Sequence, residues 1–274
     1  MSVSVLIASG KGGVGKSTFA ANLGAALAFR GRGPKVVIID ADIGLRSQDT
    51  LLGLENSVVY DLIDVVNRDC ELDQALLEVP SVPGLSLLPA SQFARAKSLD
   101  CGRLKKILAA LGEKADFILI DAPAGIEKGF RTLLNAGPDQ IILITTADEL
   151  CVRDAERAAQ VIAEKELPLP SLIVNRLDNE LIRNGEMMSA RVVASTLDLP
   201  LLGEIPEDPL VYRSVLRKVF FVDYDCPARM AVLRIAARLQ GESVPFPQIG
   251  SARVPLLRRL FPKEMKEVTP LERH

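Results

Sequence analysis

"VSVLIASGKGGVGKSTFAANLGAAL", Val3 to Leu27, decides the fold. An apolar run breaks at a glycine-rich loop, and Phe19, Leu23, Ala26 and Leu27 then recur at helical spacing. The run reads as a buried strand and the spacing as a helix, with Gly31 and Gly33 supplying its stop. Between them Gly10, Gly15, Lys16 and Ser17 match the P-loop pattern G-x-x-x-x-G-K-[ST]. Glycines let backbone N–H groups turn inward onto a phosphate with no Cβ in the way. The helix N-terminus adds its positive end. Gly10, Lys11, Gly12, Gly13, Val14, Gly15, Lys16, Ser17 and Thr18 are therefore the expected cradle for ATP. Within it Lys16 bridges the β- and γ-phosphates and the Ser17 hydroxyl binds Mg²⁺.

The rest of the composition narrows the field. The chain has 274 residues, 48% of them hydrophobic, enough for one large α/β domain with a sizeable core. A net charge of −2 gives no overall field toward nucleic acid or anionic lipid, so any such contact must be a local patch. The four cysteines, Cys70, Cys101, Cys151 and Cys226, form no C-x-x-C pair and signal neither zinc nor an iron–sulfur cluster. His274 is the sole histidine, which keeps histidine chemistry out of any internal site. No signal peptide precedes the loop, and no apolar run reaches the roughly 18 residues of a spanning helix. The expected location is the cytoplasm, with peripheral attachment to the cytoplasmic face of the membrane.

Further apolar runs, "KVVIIDAD", "LSLLPA", "DFILIDAP", "QIILITTA", "SLIVNR" and "LLGEIPED", are continuous rather than alternating, as expected of strands covered on both faces. Helical stretches such as Cys151–Lys165 and Glu186–Leu197 lie between most of them. The expected fold is α/β: a mostly parallel P-loop NTPase sheet with helices on both faces, in a single domain. The boundaries read as an ATPase domain over 1–241, a proline-bearing linker over 242–253, an amphipathic tail over 254–268 and a disordered end over 269–274.

Open α/β sheets bind ligands at the carboxyl ends of their strands. Asp121 closes "FILID" and fits a Walker B aspartate, which holds Mg²⁺ through a water. Asp40 and Asp42 follow "VVII". Asn175 sits at the end of "LIVN", where its amide can both donate to and accept from an adenine edge.

"KGGVGKST", "DADIGLR" and "DAPAGIE" resemble the deviant Walker A loop and the two switches of the MinD/ParA family of ATPases, and the resemblance runs from Ser2 to Phe261. By that resemblance Lys11, a wildcard in the P-loop pattern, crosses a dimer interface and contacts the partner's nucleotide, so that homodimerisation depends on ATP. The family implies that Asp42 orients the attacking water and that Asp40 supports the Mg²⁺ shell. Ala122 stands where the family usually has serine. Asp154 matches an aspartate that lies near the signature lysine and serves partner binding; a first-turn acid favoured by the helix dipole is the other reading. The loops of Asn175 with Arg176, and of Pro206 with Glu207, flank the base in the family.

In the tail, Val254, Leu256, Leu257, Leu260 and Phe261 fall on one half of a helix, with Arg259 and Lys263 on the other. Pro255 suits a first turn, and Pro262 ends or kinks the helix. "PLLRRLFP", with Leu256, Leu257, Arg258, Arg259, Leu260 and Phe261, resembles the family's membrane-targeting sequence and implies anionic inner-membrane lipid as a partner. The resemblance also implies a division inhibitor and a topological-specificity factor as protein partners, in the placing of the division septum. Two related readings stay open in the sequence. A DNA-partition ATPase would use Arg213, Arg217, Lys218, Arg229, Arg234 and Arg238, but these are interspersed with apolar positions and make DNA an unlikely partner. An ATPase that sets flagellar number or placement would share both loop and tail. An iron–sulfur scaffold is disfavoured by the missing C-x-x-C.

Overall fold

The computed structural model describes residues 2–28, 33–92, 99–165 and 167–247. β1 (Val3–Ala8) passes through the glycine loop into α1 (Lys16–Ala28), followed by β2 (Val36–Asp40) and α2 (Gln48–Leu52). Next come α3 (Leu62–Asn67), α4 (Leu72–Ala75), β3 (Leu77–Glu78), β4 (Leu85–Leu88) and α5 (Cys101–Gly112). β5 (Phe117–Asp121), α6 (Lys128–Asn135), β6 (Gln140–Thr146) and α7 (Glu149–Ala163) alternate after them. The chain then forms β7 (Ser171–Leu177), α8 (Asn179–Asn184), α9 (Ala190–Leu197), β8 (Leu201–Pro206), α10 (Pro209–Leu216) and α11 (Pro227–Leu239).

Among the described residues eight strands make one sheet in the order β3-β4-β2-β5-β1-β6-β7-β8. All neighbours are parallel except β3 and β4. This order places the ends of β2, β5 and β1 side by side, with Asp40 paired to Asp121 in register. The chain winds away from β1 in both directions, which opens a crevice at its carboxyl end.

Side chains alternate across each strand, so one run of apolar residues feeds two cores. Leu6 and Ala8 face the core under α3, α5, α6, α7 and α9. Val5 and Ile7 face the core under α1 and α11. That double coverage is why the strand runs are continuous rather than alternating.

Local signals set the helix ends. Asp148 accepts from Cys151 N at 3.0 Å and starts α7 at Glu149, two residues before the expected Cys151. The expected helix over Glu186–Leu197 begins only at Ala190, where Ser189 caps it; α8 has already ended at Gly185 with φ +77°. β3 escapes a periodicity reading because two residues have no period. The chain from 242 to 247 has no regular element. The expected tail over 254–268, with Leu256, Leu257, Arg258, Arg259, Leu260 and Phe261, lies outside the described residues, as do 248–253 and the end 269–274. Among the described residues no helix is long and apolar enough to cross a membrane.

Gly203 of β8 lets α11 settle on the sheet. A Cβ there would lie 2.3 Å from Ile235 Cγ1 and 2.5 Å from its Cδ1, and Ile235 is fully buried. Gly203→Ala should cost about 1–3 kcal/mol in urea unfolding. Ile235→Ala removes the obstructing atoms, so the double variant should lose less than the sum of the two single losses. Additive losses would contradict this packing.

Candidate active site

Three elements brace the glycine loop. At Gly10 the backbone lies so close to α7 that a Cβ would fall 2.0 Å from Asp154 O. On the β5 side, Gly125 N donates to Ser9 O at 3.1 Å, and a Cβ at Gly12 would touch Ala124 Cβ at 3.7 Å. On the β7 side, Asn175 Nδ2 donates to Val14 O at 2.8 Å. Gly13 and Gly15 take φ of +84° and +91°, which only glycine adopts without strain. The Ser9 hydroxyl donates to Lys11 O at 2.9 Å.

Inside the loop, Lys16 Nζ donates to Asp121 Oδ1 at 2.6 Å, and both side chains are buried. The other carboxylate oxygen accepts from Gln48 Nε2 at 2.7 Å, and the same nitrogen donates to Ser17 O at 3.0 Å. Asp40 is fully buried and accepts from Gln48 N at 2.9 Å and Asp42 N at 3.0 Å. Burial first, then the Asp121 charge, push the Asp40 carboxyl from its ordinary 3.8 up to about 7, against those two N–H groups. Asp42 is raised too, by burial, with the Lys16 ammonium opposing and Asp121 adding. The Lys16 ammonium thus pairs with Asp121 and acts on Asp42, while Asp40 is held by backbone N–H groups. Among the described residues no three carboxylates stand close enough to hold a metal ion by themselves; the Asp121 carboxylate and the Ser17 hydroxyl are oxygen donors of the kind that a hard divalent cation takes together with waters and phosphate oxygens.

Beside the loop a cavity of about 400 Å³ opens between β7, β8 and α10. Thr18, Asn175, Arg176, Pro206 and Glu207 line it, all of them expected at a nucleotide. Arg176 has φ +57°, a strained conformation for a side-chain-bearing residue, and stands 4.0 Å from the Glu207 carboxylate. Tyr212 of α10 lines the same cavity, with most of its surface exposed. Its sequence neighbourhood carries no motif, and only the turn of the chain after β8 brings it here.

Lys11 is exposed, and among the described residues its side chain has no hydrogen bond or ion pair. Asp154 lies beside the loop, but its carboxylate pairs with Arg157 at 3.4 Å rather than with Lys11. Of the six basic residues that would make a DNA patch, Lys218 is paired with Glu55. Arg238 donates to the carbonyls of Leu202, Val244 and Pro245.

The family model described as ParA, NUBPL iron-transfer P-loop NTPase, matches residues 1–240. The septum site-determining protein MinD of Synechocystis sp. is 40% identical over 259 residues, covering 93% of this chain and 96% of that one. The chain belongs to the MinD/ParA family of P-loop ATPases. Its fold agrees with MinD in the MinC:MinD cell division protein complex of Aquifex aeolicus, with a TM-score of 0.83 and 36% identity over 90% of this chain and 99% of that one. It also agrees with the Pyrococcus horikoshii MinD complexed with Mg-ADP, with a TM-score of 0.76 and 29% identity over 87% and 96% of the two chains.

Membership makes the protein an ATP-hydrolysing P-loop enzyme. When bound, Mg²⁺ neutralises phosphate charge and orders the terminal phosphate. Gln48 and Tyr212 are the residues at this site that sequence reasoning missed. Gln48 belongs to no pattern, since "SQD" after the switch reads as an ordinary helix start.

The raised Asp40 gives a test with a definite sign. Its folded-state pKa lies above the unfolded value, so the stability it contributes is full below about pH 4 and lost as pH rises through about 7. Asp40→Asn is neutral throughout. In chelator and without nucleotide, the variant should gain on the parent between those pH values by on the order of 2–4 kcal/mol in denaturant unfolding. A constant difference between the two would contradict the crowding.

Proposed function

We propose that this chain places the division septum as a MinD-type ATPase, dimerising on ATP, joining the membrane as a dimer and leaving it on hydrolysis. One observation carries the reading furthest. Lys16 alone is built into the phosphate site, while Lys11, in the same loop, is exposed and unpaired. A cation presented outward beside a phosphate cradle is suited to a nucleotide held by a second copy. The Synechocystis relative's role in septum siting and the Aquifex complex with MinC support a division inhibitor as partner. A topological-specificity factor as stimulator rests on the family resemblance.

In this reading Gly10 to Thr18 hold the phosphates, and Ser17, Asp40 and Asp121 hold the Mg²⁺ shell. Asp42 positions the attacking water, and half burial suits it to that work. Asn175, Arg176, Pro206 and Glu207 surround the adenine, Asn175 keeping one N–H on Val14 O and presenting the rest of its amide. Asp154 answers to partners on α7. The DNA-partition alternative is weakened by the prior engagement of Lys218 and Arg238. Flagellar placement remains the second reading of the same site and tail.

The domain limits of 1–241, 242–253, 254–268 and 269–274 make the tail a tethered anchor. Val254, Leu256, Leu257, Leu260 and Phe261 gain roughly 8–15 kcal/mol if fully buried, at about 1.5–3 each. Ordering some eight residues costs about 12. The near cancellation leaves one tail weak, with arginines adding about 1 kcal/mol each near anionic lipid. Two tails on one dimer raise apparent affinity about 10²–10⁴-fold without any new contact.

Two variants separate the lysine's role from that of the water-positioning carboxylate. Asp42→Ala should bind ATP and dimerise in light scattering while hydrolysis falls at least about 100-fold. Adding Lys11→Ala to it should keep nucleotide binding and lose the dimer. A normal ATP dimer without Lys11 would reduce that residue to a loop lysine.

Truncation after Gly250 should abolish ATP-dependent binding to anionic vesicles with dimerisation intact. Equally tight vesicle binding of the full chain in ADP would remove the valence mechanism. Salt-sensitive binding to DNA in place of vesicles would favour partition.

A further inference from the structure

We propose that Gln48 is a positioning residue of the metal site, holding Asp121 against the phosphate loop through its amide nitrogen and offering its carbonyl oxygen to a water on Mg²⁺. The inference rests on the reading of this site as one for Mg²⁺ and ATP.

Gln48 opens α2 and is fully buried. Its Nε2 has two acceptors, Asp121 Oδ2 at 2.7 Å and Ser17 O at 3.0 Å. Neither acceptor carries a hydrogen, so the amide has only one workable orientation: nitrogen toward the carboxylate and the carbonyl, oxygen the other way. Both N–H bonds are then used. The oxygen, Oε1, is sealed from solvent and has no hydrogen-bond partner among the described residues. A buried acceptor without a donor is costly, so a donor belonging to a ligand is the natural completion.

The residues Gln48 grips identify the ligand class. Asp121 and Ser17 are the two groups that would serve Mg²⁺, and the backbone N–H of Gln48 binds Asp40, the third. Mg²⁺ keeps several of its waters, and a water on the cation is a strong donor. One amide therefore ties the β5 carboxylate, the start of α1 and the segment after β2 into a single unit, with one acceptor left over. An apolar side chain of similar volume would fill the space yet leave Asp121 Oδ2 without the Gln48 donor, since Lys16 bonds the other oxygen, Oδ1.

The test is the factor by which Mg²⁺ tightens ADP binding, measured on the full chain by calorimetry in Mg²⁺ and in chelator. Mn²⁺ binding to the ADP complex, followed by electron paramagnetic resonance, reads the metal directly. Loss of a group that holds metal ligands in place typically costs 10–100-fold in metal affinity. Gln48→Met should therefore lower the Mg²⁺ factor by about tenfold or more and weaken Mn²⁺ to match. Gln48→Leu removes the same two N–H donors and the same oxygen and should lower the factor in the same way. The chelator arm absorbs any purely structural damage, because a structural role lowers both affinities and leaves their ratio unchanged. A Met variant with the parent's ratio would overturn the inference, and so would a Leu variant with the parent's ratio. Should Gln48→Met fail to fold, Gln48→Leu against the parent decides, an unchanged ratio overturning the inference. A parent chain that binds no ADP would sink the ATPase reading beneath it.

Discussion

The ion pair between Lys16 and Asp121 is the interaction on which the site depends. Its 2.6 Å contact is closed to solvent on both sides, with 6% and 0% of the side chains exposed. A buried pair of this kind contributes little net stability, because desolvation offsets much of the attraction. Removing one partner, however, leaves a buried charge uncompensated. The pair therefore acts as a constraint: neither residue can leave the other unless a substitute charge arrives. In the proposed reading a nucleotide phosphate would supply one for Lys16, and a divalent cation would supply one for Asp121. That reading couples Mg²⁺ and nucleotide through the chain's own electrostatics.

The surroundings make that exchange specific. Strand order sets Asp40 beside Asp121 and both beside the loop, so carboxylate crowding follows from topology rather than from loop conformation. Gly10 against Asp154 ties the loop to α7. Asn175 ties it to β7 and to the cavity beyond. The loop is therefore in direct contact with that cavity on one side and with an exposed helix face on the other. The unpaired Lys11 sits between these supports, attached to the loop only through its backbone.

Much of this was legible in the sequence because the signals are local. The P-loop match, the strand-end aspartates and the continuous apolar runs each state a backbone conformation and a position in an open α/β sheet. Their consequence, the Asp40–Asp121 register, needs strand order, which no run of residues contains. Gln48 was invisible for a related reason: its three acceptors lie 8, 31 and 73 residues away. Tyr212 reaches the cavity only through the fold of the chain after β8. Helix limits failed where a cap outweighed periodicity, as Asp148 and Ser189 do for α7 and α9.

The central claim is that phosphate and metal together open the Lys16–Asp121 pair. A crystal structure of the chain with Mg²⁺ and a non-hydrolysable ATP analogue measures this directly. The account predicts that Lys16 Nζ lies about 2.7–2.9 Å from phosphate oxygens, with Asp121 more than about 4 Å away, outside ion-pair range. Lys16 still 2.6 Å from Asp121 Oδ1, with the phosphates bound elsewhere, would contradict it.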